Sequence, residues 1–124
     1  MVLRGIRGAT TVDTNSADNI LKETEFLLIK LIEENNVDST DIASIFFSLT
    51  NDLDAQFPAL AARKMRLVDV PLLCLNEINI PNSIQRCIRI LIHVNTNTPQ
   101  KDIHHIYLKE AISLRPDKAL NAIK

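Results

Sequence analysis

Glycine, cysteine and aromatic residues are all scarce in this sequence of 124 residues, which holds two Gly, two Cys, one Tyr, four Phe and no Trp. Each scarcity closes off a class of protein. With so few glycines, and those not in a nucleotide-binding pattern, no phosphate-cradling loop can be written onto the chain. Cys74 and Cys87 are too few for a secreted disulfide scaffold, and their spacing matches no CxxC redox motif. The aromatics are too few to stack against bases, so basic residues in strands do not read as an RNA surface. A net charge of −1 offers no general attraction to nucleic acid or to acidic lipid. No apolar run approaches the roughly 18 residues of a membrane span. No N-terminal stretch reads as a signal peptide, so the expected setting is a reducing cytoplasm, with no membrane partner. The length suits one domain spanning residues 1–124, large enough to bury roughly two-thirds of its unfolded surface.

The most informative segment is Cys87-Ile88-Arg89-Ile90-Leu91-Ile92-His93-Val94. Its alternation predicts a strand with Ile88, Ile90, Ile92 and Val94 on one face and Cys87, Arg89, Leu91 and His93 on the other. An arginine in mid-strand cannot easily reach bulk water, so Arg89 needs an anion beside it, either a protein carboxylate or a ligand. Arg4, Arg7 and Arg86 are likewise expected inside strands.

In chain order, residues 2–12 predict a first strand that contains both glycines, Gly5 and Gly8. Strand glycines mark close approach by another group. Gly5, Arg7 and Ala9 share a face, and that small-large-small order leaves room around the Arg7 guanidinium, as at a pocket floor. Residues 17–34 predict an amphipathic helix with Ile20, Leu21, Leu27, Leu28 and Leu31 on its apolar stripe, ended by a left-handed turn at Asn35-Asn36. Asp13, Asp18, Glu23 and Glu25 are expected on a solvated face. Residues 42–49 (IASIFFSL) predict a second strand buried on both faces. Pro58 opens a short helix running to about Lys64. Residues 68–75 predict a third strand, with Pro71 arguing for an edge or a bulge. A turn-rich connection follows, in which Asn82 suits positive φ. After the Arg89 strand, residues 104–108 predict a last short strand, and Glu110 to Arg115 a single helical turn. The fold class is α/β (α+β): one domain, a mixed sheet of about five strands packed by one long helix and short helical turns.

Nothing in the chain supplies a nucleophile, a metal centre or a redox cofactor. His104 and His105 are adjacent on a strand and point to opposite faces, and neither they nor His93 sit near acidic or thiol ligands at metal spacing. What remains is Arg7, Arg89 and Arg115 with Glu77 and Tyr107. Together these suit a small di-anion that also offers a hydroxyl.

The N-terminal run Met1-Val2-Leu3-Arg4-Gly5-Ile6-Arg7-Gly8-Ala9-Thr10-Thr11 closely resembles that of the monofunctional, trimeric chorismate mutases, the small α/β barrel-like family unrelated to the all-helical type. The resemblance continues through Phe57-Pro58-Ala59, Cys74-Leu75-Asn76-Glu77, Cys87-Ile88-Arg89, Ile106 to Ala111 and Leu114-Arg115-Pro116-Asp117. It implies a homotrimer, a pseudo-α/β barrel with sheets around a common axis and helices outside, and active sites in the clefts between neighbouring subunits. It implies chorismate as substrate, prephenate as product and no cofactor. Carried over residue by residue, it implies Arg89 at the ether oxygen and a carboxylate, and Arg7 and Tyr107 at the enolpyruvyl carboxylate. It also implies Glu77 and the Cys74 backbone or thiol at the ring hydroxyl. Phe57, Ala59, Leu73, Leu114 and Arg115 are implied as the wall and the C-terminal flap, and Arg63 as an entrance arginine. Leu60 stands where some relatives carry lysine, Leu73 where some carry a polar residue, and Asn82 where glycine is common. Two other readings fit less of the chain: a reactive-imine deaminase of similar trimeric build, and a non-catalytic carboxylate-binding trimer. The first leaves Cys74-x-x-Glu77 and the Leu114 to Asp117 run unexplained. The second predicts chorismate binding with no prephenate formed.

Overall fold

The strand that carries Arg89 is the middle one of five. The computed structural model describes residues 1–115, and its strands β1 (Val2–Thr11), β2 (Ile42–Leu49), β3 (Leu72–Asn76), β4 (Cys87–Thr96) and β5 (Ile106–Tyr107) form one mixed sheet. Their order is β3-β2-β4-β1-β5. β4 runs antiparallel to both β1 and β2, and the outer strands β3 and β5 each lie parallel to their neighbour. The long β1/β4 ladder pairs Ala9 with Arg89 and Arg7 with Leu91, and β2 places Ser48 opposite Arg89 from the other side.

One helix covers one face. Helix α1 (Ala17–Glu34) starts at Ser16, whose Oγ accepts the Asn19 N–H at 3.2 Å. Its end is fixed by Asn35, which bonds both the Leu31 carbonyl and the backbone of His104, and by Asn36 at φ 49°. Ile20, Leu27, Leu28 and Leu31 are fully buried, each contributing about 1.5–3 kcal/mol. Leu21 is only half-buried; its expected place is taken by Thr24, which hides its hydroxyl by donating to the Ile20 carbonyl at 2.6 Å. The helix lies close on the sheet because Gly8 is there: a Cβ at that position would sit 2.9–3.1 Å from Leu27 and Leu31 methyls.

Several sequence expectations change in three dimensions. β2 is not buried on both faces: Ile45, Phe47 and Leu49 meet the core, while Ser44, Phe46 and Ser48 remain half-exposed. The third strand begins only at Leu72. Val68 is 76% exposed, and Pro71 precedes an edge strand, where its lack of an N–H costs nothing while its carbonyl accepts from Ile45. Helix α2 (Ala59–Lys64) takes Pro58 as its cap rather than its first residue. The last strand shrinks to two residues, followed by a short 3-10 segment from Lys109 to Leu114. Glu23 is not on a solvated face, since its carboxylate takes Lys109 Nζ at 2.7 Å. That bond holds the Lys109 ammonium pKa above its ordinary value. Arg86 lies outside the strands at φ 46°, its N–H held by both Asp52 oxygens and its Nε by the Val12 carbonyl. Asn82 has φ 65°, in agreement with the sequence reading. Pro116 and Asp117 lie outside the described residues.

Candidate active site on the open face of the sheet

The alternation that drives Ile88, Ile90, Ile92 and Val94 into the core turns Arg89, Leu91 and His93 to the face that no helix among the described residues covers. There they line a hollow of about 490 Å³ together with Arg7, Phe46 and Ser48. The anion that Arg89 needs is Glu77. Arg89 Nε donates to both carboxylate oxygens at 2.9 Å, and Ser48 Oγ donates to Oε2 at 2.8 Å. Glu77 follows β3 directly, and its N–H extends the ladder to the Leu49 carbonyl at 2.9 Å. The bonds to Glu77 use only Nε of the guanidinium, so they do not consume its outer fork of η nitrogens.

Arg7, from β1, lines the same hollow, and its guanidinium carbon lies 6.0 Å from the centre of the Tyr107 ring. Its backbone N–H donates to His105 Nδ1 at 3.0 Å, which fixes β1 against the lead-in to β5. Tyr107 is 5% exposed and packs with Ala9, Cys87 and Ala111, with Leu114 against the same cluster. The Cys87 thiol is pushed up to about 11, chiefly by burial and then by the Glu77 charge, with Arg89 opposing. At neutral pH it is a small apolar filler, not a nucleophile. The three histidines go to separate places: His93 bonds Ser44 and meets the Phe46 ring edge-on, His105 holds Arg7, and His104 is tied through its backbone to Asn35.

The candidate residues therefore fall into two groups. Arg7, Glu77, Arg89, Tyr107 and Leu114 gather on one region of the open face, with Arg115 just beyond Leu114. Phe57, Ala59 and Arg63 sit at α2, which packs on α1 and β3, and they do not line the hollow. Phe57 is 67% exposed, Ala59 is buried and Arg63 is exposed. Leu73 shares the open face opposite Phe46 but does not line the hollow either. Cys74 is the misfit. Its β2 partner is Phe47, and its side chain packs into the helix-covered core, so the thiol points away from Arg89 and only its main chain can serve the site. Ser48 escaped the sequence reading. The signal was there in IASIFFSL, where Ser44, Phe46 and Ser48 alternate against Ile45, Phe47 and Leu49.

Fold and site together define a small mixed-sheet protein with two arginines lining a hollow that none of its described helices covers, one of them bound to a carboxylate, suited to a compact di-anion. Residues 3–118 match the model of chorismate mutase type I, and the chain belongs to that family. The chorismate mutase AroH of Bacillus subtilis (strain 168) is 42% identical over 121 residues, covering 97% of this chain and 95% of the relative. That of Thermus thermophilus is 44% identical over 117 residues, covering 94% and 96%. Among solved structures, a chorismate mutase from Clostridium thermocellum, Cth-682, superposes with a TM-score of 0.87 at 50% identity, covering 88% of this chain and 97% of its own. The protein is thus an isomerase of the mixed-sheet kind, not the all-helical one, acting on chorismate. No helix among the described residues is long and apolar enough to cross a membrane.

Proposed function

We propose that this chorismate mutase, a single domain over residues 1–124, accelerates the rearrangement to prephenate with Arg89 at the ether oxygen. The reaction is an intramolecular Claisen rearrangement and needs no proton transfer, nucleophile or cofactor. As the C–O bond breaks, negative charge gathers on the enolpyruvyl oxygen and some positive charge on the ring. A guanidinium held in place before the reaction starts favours that charge distribution over the ground state, which is the condition for raising kcat. Glu77 serves two ends: it holds Arg89, and it offers an oxygen to the ring hydroxyl on the side where positive charge develops. Arg7 and Tyr107 hold the enolpyruvyl carboxylate, and the Cys74 main chain helps at the hydroxyl. These contacts select the compact, chair-like conformer of the substrate. The single observation that carries this reading is the Arg89–Glu77 pair (Arg89 Nε–Glu77 Oε2 2.9 Å), whose arginine lines one hollow with Arg7.

The protein works as a homotrimer in the cytoplasm, each site lying between two copies and feeding the phenylalanine and tyrosine pathways. Two facts support the shared site: α2 keeps Phe57, Ala59 and Arg63 away from the Arg89 hollow of their own chain, and the open sheet face leaves Leu73 and Leu75 about half-exposed. A neighbour's Phe57, Leu73 and Arg63 then wall the hollow, with Ala59 buried behind them in α2, while Leu114 and Arg115 close its C-terminal side. The test is loss of chorismate absorbance with purified protein, beside sedimentation. A fully active monomer would remove the shared site, and binding without turnover would remove the mechanism.

A further inference from the structure

We propose that Ser48 is a positioning residue for the rearrangement: by holding Glu77 it sets where Arg89 presents its guanidinium fork. The inference rests on the reading of Arg89 and Glu77 given above and goes beyond it. Ser48 Oγ donates to Glu77 Oε2 at 2.8 Å, and the Glu77 N–H is bound at 2.9 Å to the carbonyl of Leu49, the next residue along β2. β2 therefore holds Glu77 at both ends, main chain and carboxylate. Ser48 is also the direct cross-strand partner of Arg89, so both partners of the ion pair meet over the same β2 residue.

The geometry of the pair makes the hydroxyl matter. Arg89 Nε lies 2.9 Å from each carboxylate oxygen, a contact through one nitrogen, so Arg89 is held where the carboxylate is held but does not itself fix how that carboxylate is turned. A carboxylate on a flexible side chain turns freely about its last bond unless a third group holds one oxygen. Among the described residues, the side-chain hydrogen bonds to Glu77 come from Arg89 and Ser48. Without Ser48 the ion pair survives but its orientation is no longer fixed. The Ser48 bond also makes the two oxygens unequal: Oε2 carries both donors, while Oε1 carries Arg89 alone and has the freer lone pairs for a substrate hydroxyl. Supporting groups of this kind decide whether a site is held to the tolerance that electrostatic catalysis needs.

The test compares Ser48→Thr with Ser48→Val, two side chains of nearly one shape that differ by the hydroxyl, both at home in a strand. Threonine should keep kcat within about threefold. Valine should lose roughly tenfold or more in kcat with KM moved less than about twofold, the mark of an interaction that matters in the transition state. In a Glu77→Ala background the Ser48→Val change should move kcat by less than about twofold, because Ser48 acts only through Glu77. Thermal melts accompany each variant, and Ser48→Ala replaces valine in the cycle if valine lowers the melting temperature more than threonine does. Native kcat in Ser48→Val, or an equal loss with and without Glu77, would overturn the assignment. Native kinetics in Glu77→Ala itself would instead overturn the underlying reading, and this inference with it. An impaired Glu77→Ala beside a normal Ser48→Val would sink the Ser48 role alone.

Discussion

Along β4 neighbouring residues do different work. Ile88, Ile90, Ile92 and Val94 are 0–2% exposed beneath α1, while Arg89, Leu91 and His93 between them are only half-buried on the face the described residues leave open. The covered face is apolar, close-packed and closed by the chain itself. The open face carries two arginines, a carboxylate, a serine and a histidine around a hollow. A charge on the open face keeps much of its hydration until a ligand or a second copy covers it. Its electrostatic strength is then realised where chemistry happens rather than spent on folding. Period-two geometry lets one strand do both, because each substitution falls on one face only.

That division can be broken deliberately. The largest expected effect is on the open face: Arg89→Ala removes charge and fork and leaves Glu77 unpaired, and should cost about three orders of magnitude in kcat/KM. Chorismate-loss kinetics checks it, and a near-native rate would mean that the hollow is not the site. Next, three residues along the same strand, Ile92→Ala should cost about 2–5 kcal/mol of stability while the folded fraction turns over normally. Denaturant melts and active-site-normalised kcat test both halves of that statement.

The glycines of β1 sharpen the contrast within a few residues. Gly8→Ala drives a methyl into Leu27 and Leu31 at 2.9–3.1 Å and should destabilise by about 1–3 kcal/mol. Gly5→Ala meets only Leu91 Cδ1 at 3.5 Å, an ordinary contact, and should leave the lone chain's stability within about 0.5 kcal/mol. Equal melting shifts for the two would show that the faces are not packed differently.

The smallest effect is a pH dependence. The Cys87 thiol has its pKa raised from 9.0 to about 11 by burial, so folding favours its neutral form. That contribution is whole below the unfolded value and is lost as pH rises through the window between the two. The melting temperature should therefore fall from about pH 9 to 11, and less steeply in Cys87→Ala. Identical slopes would show that the thiol is not the group responsible.

How far the sequence foretells all this depends on how sharply each segment alternates. β4 carries Ile88, Ile90, Ile92 and Val94 at every second position, so its two faces and the placement of Arg89 can be read directly. α1 has a clear stripe and a serine cap, so its limits are read correctly, and Asn82 declares its turn by residue type. β3 is the opposite case. Leu72, Leu73, Cys74 and Leu75 are all apolar, so alternation cannot say which pair faces the helix. The parallel register with β2 decides it by setting Cys74 beside Phe47. The buried Thr24, the left-handed Arg86 and the Ser48 contact depend on partners distant in sequence, which no local pattern reveals. Most of the open-face charge was visible residue by residue; its assembly around Glu77 needed the sheet order.

The claim at the centre is that Arg89 meets charge present only in the transition state, and Arg89→Lys tests it most directly. Lysine keeps the positive charge but loses the fork and the reach of the guanidinium. Steady-state kinetics beside thermal melts and sedimentation should show kcat reduced by about two to three orders of magnitude, KM changed far less, and an unaltered fold and assembly. Unchanged kcat in a well-folded Arg89→Lys protein, or a loss that falls wholly on KM, would contradict the account.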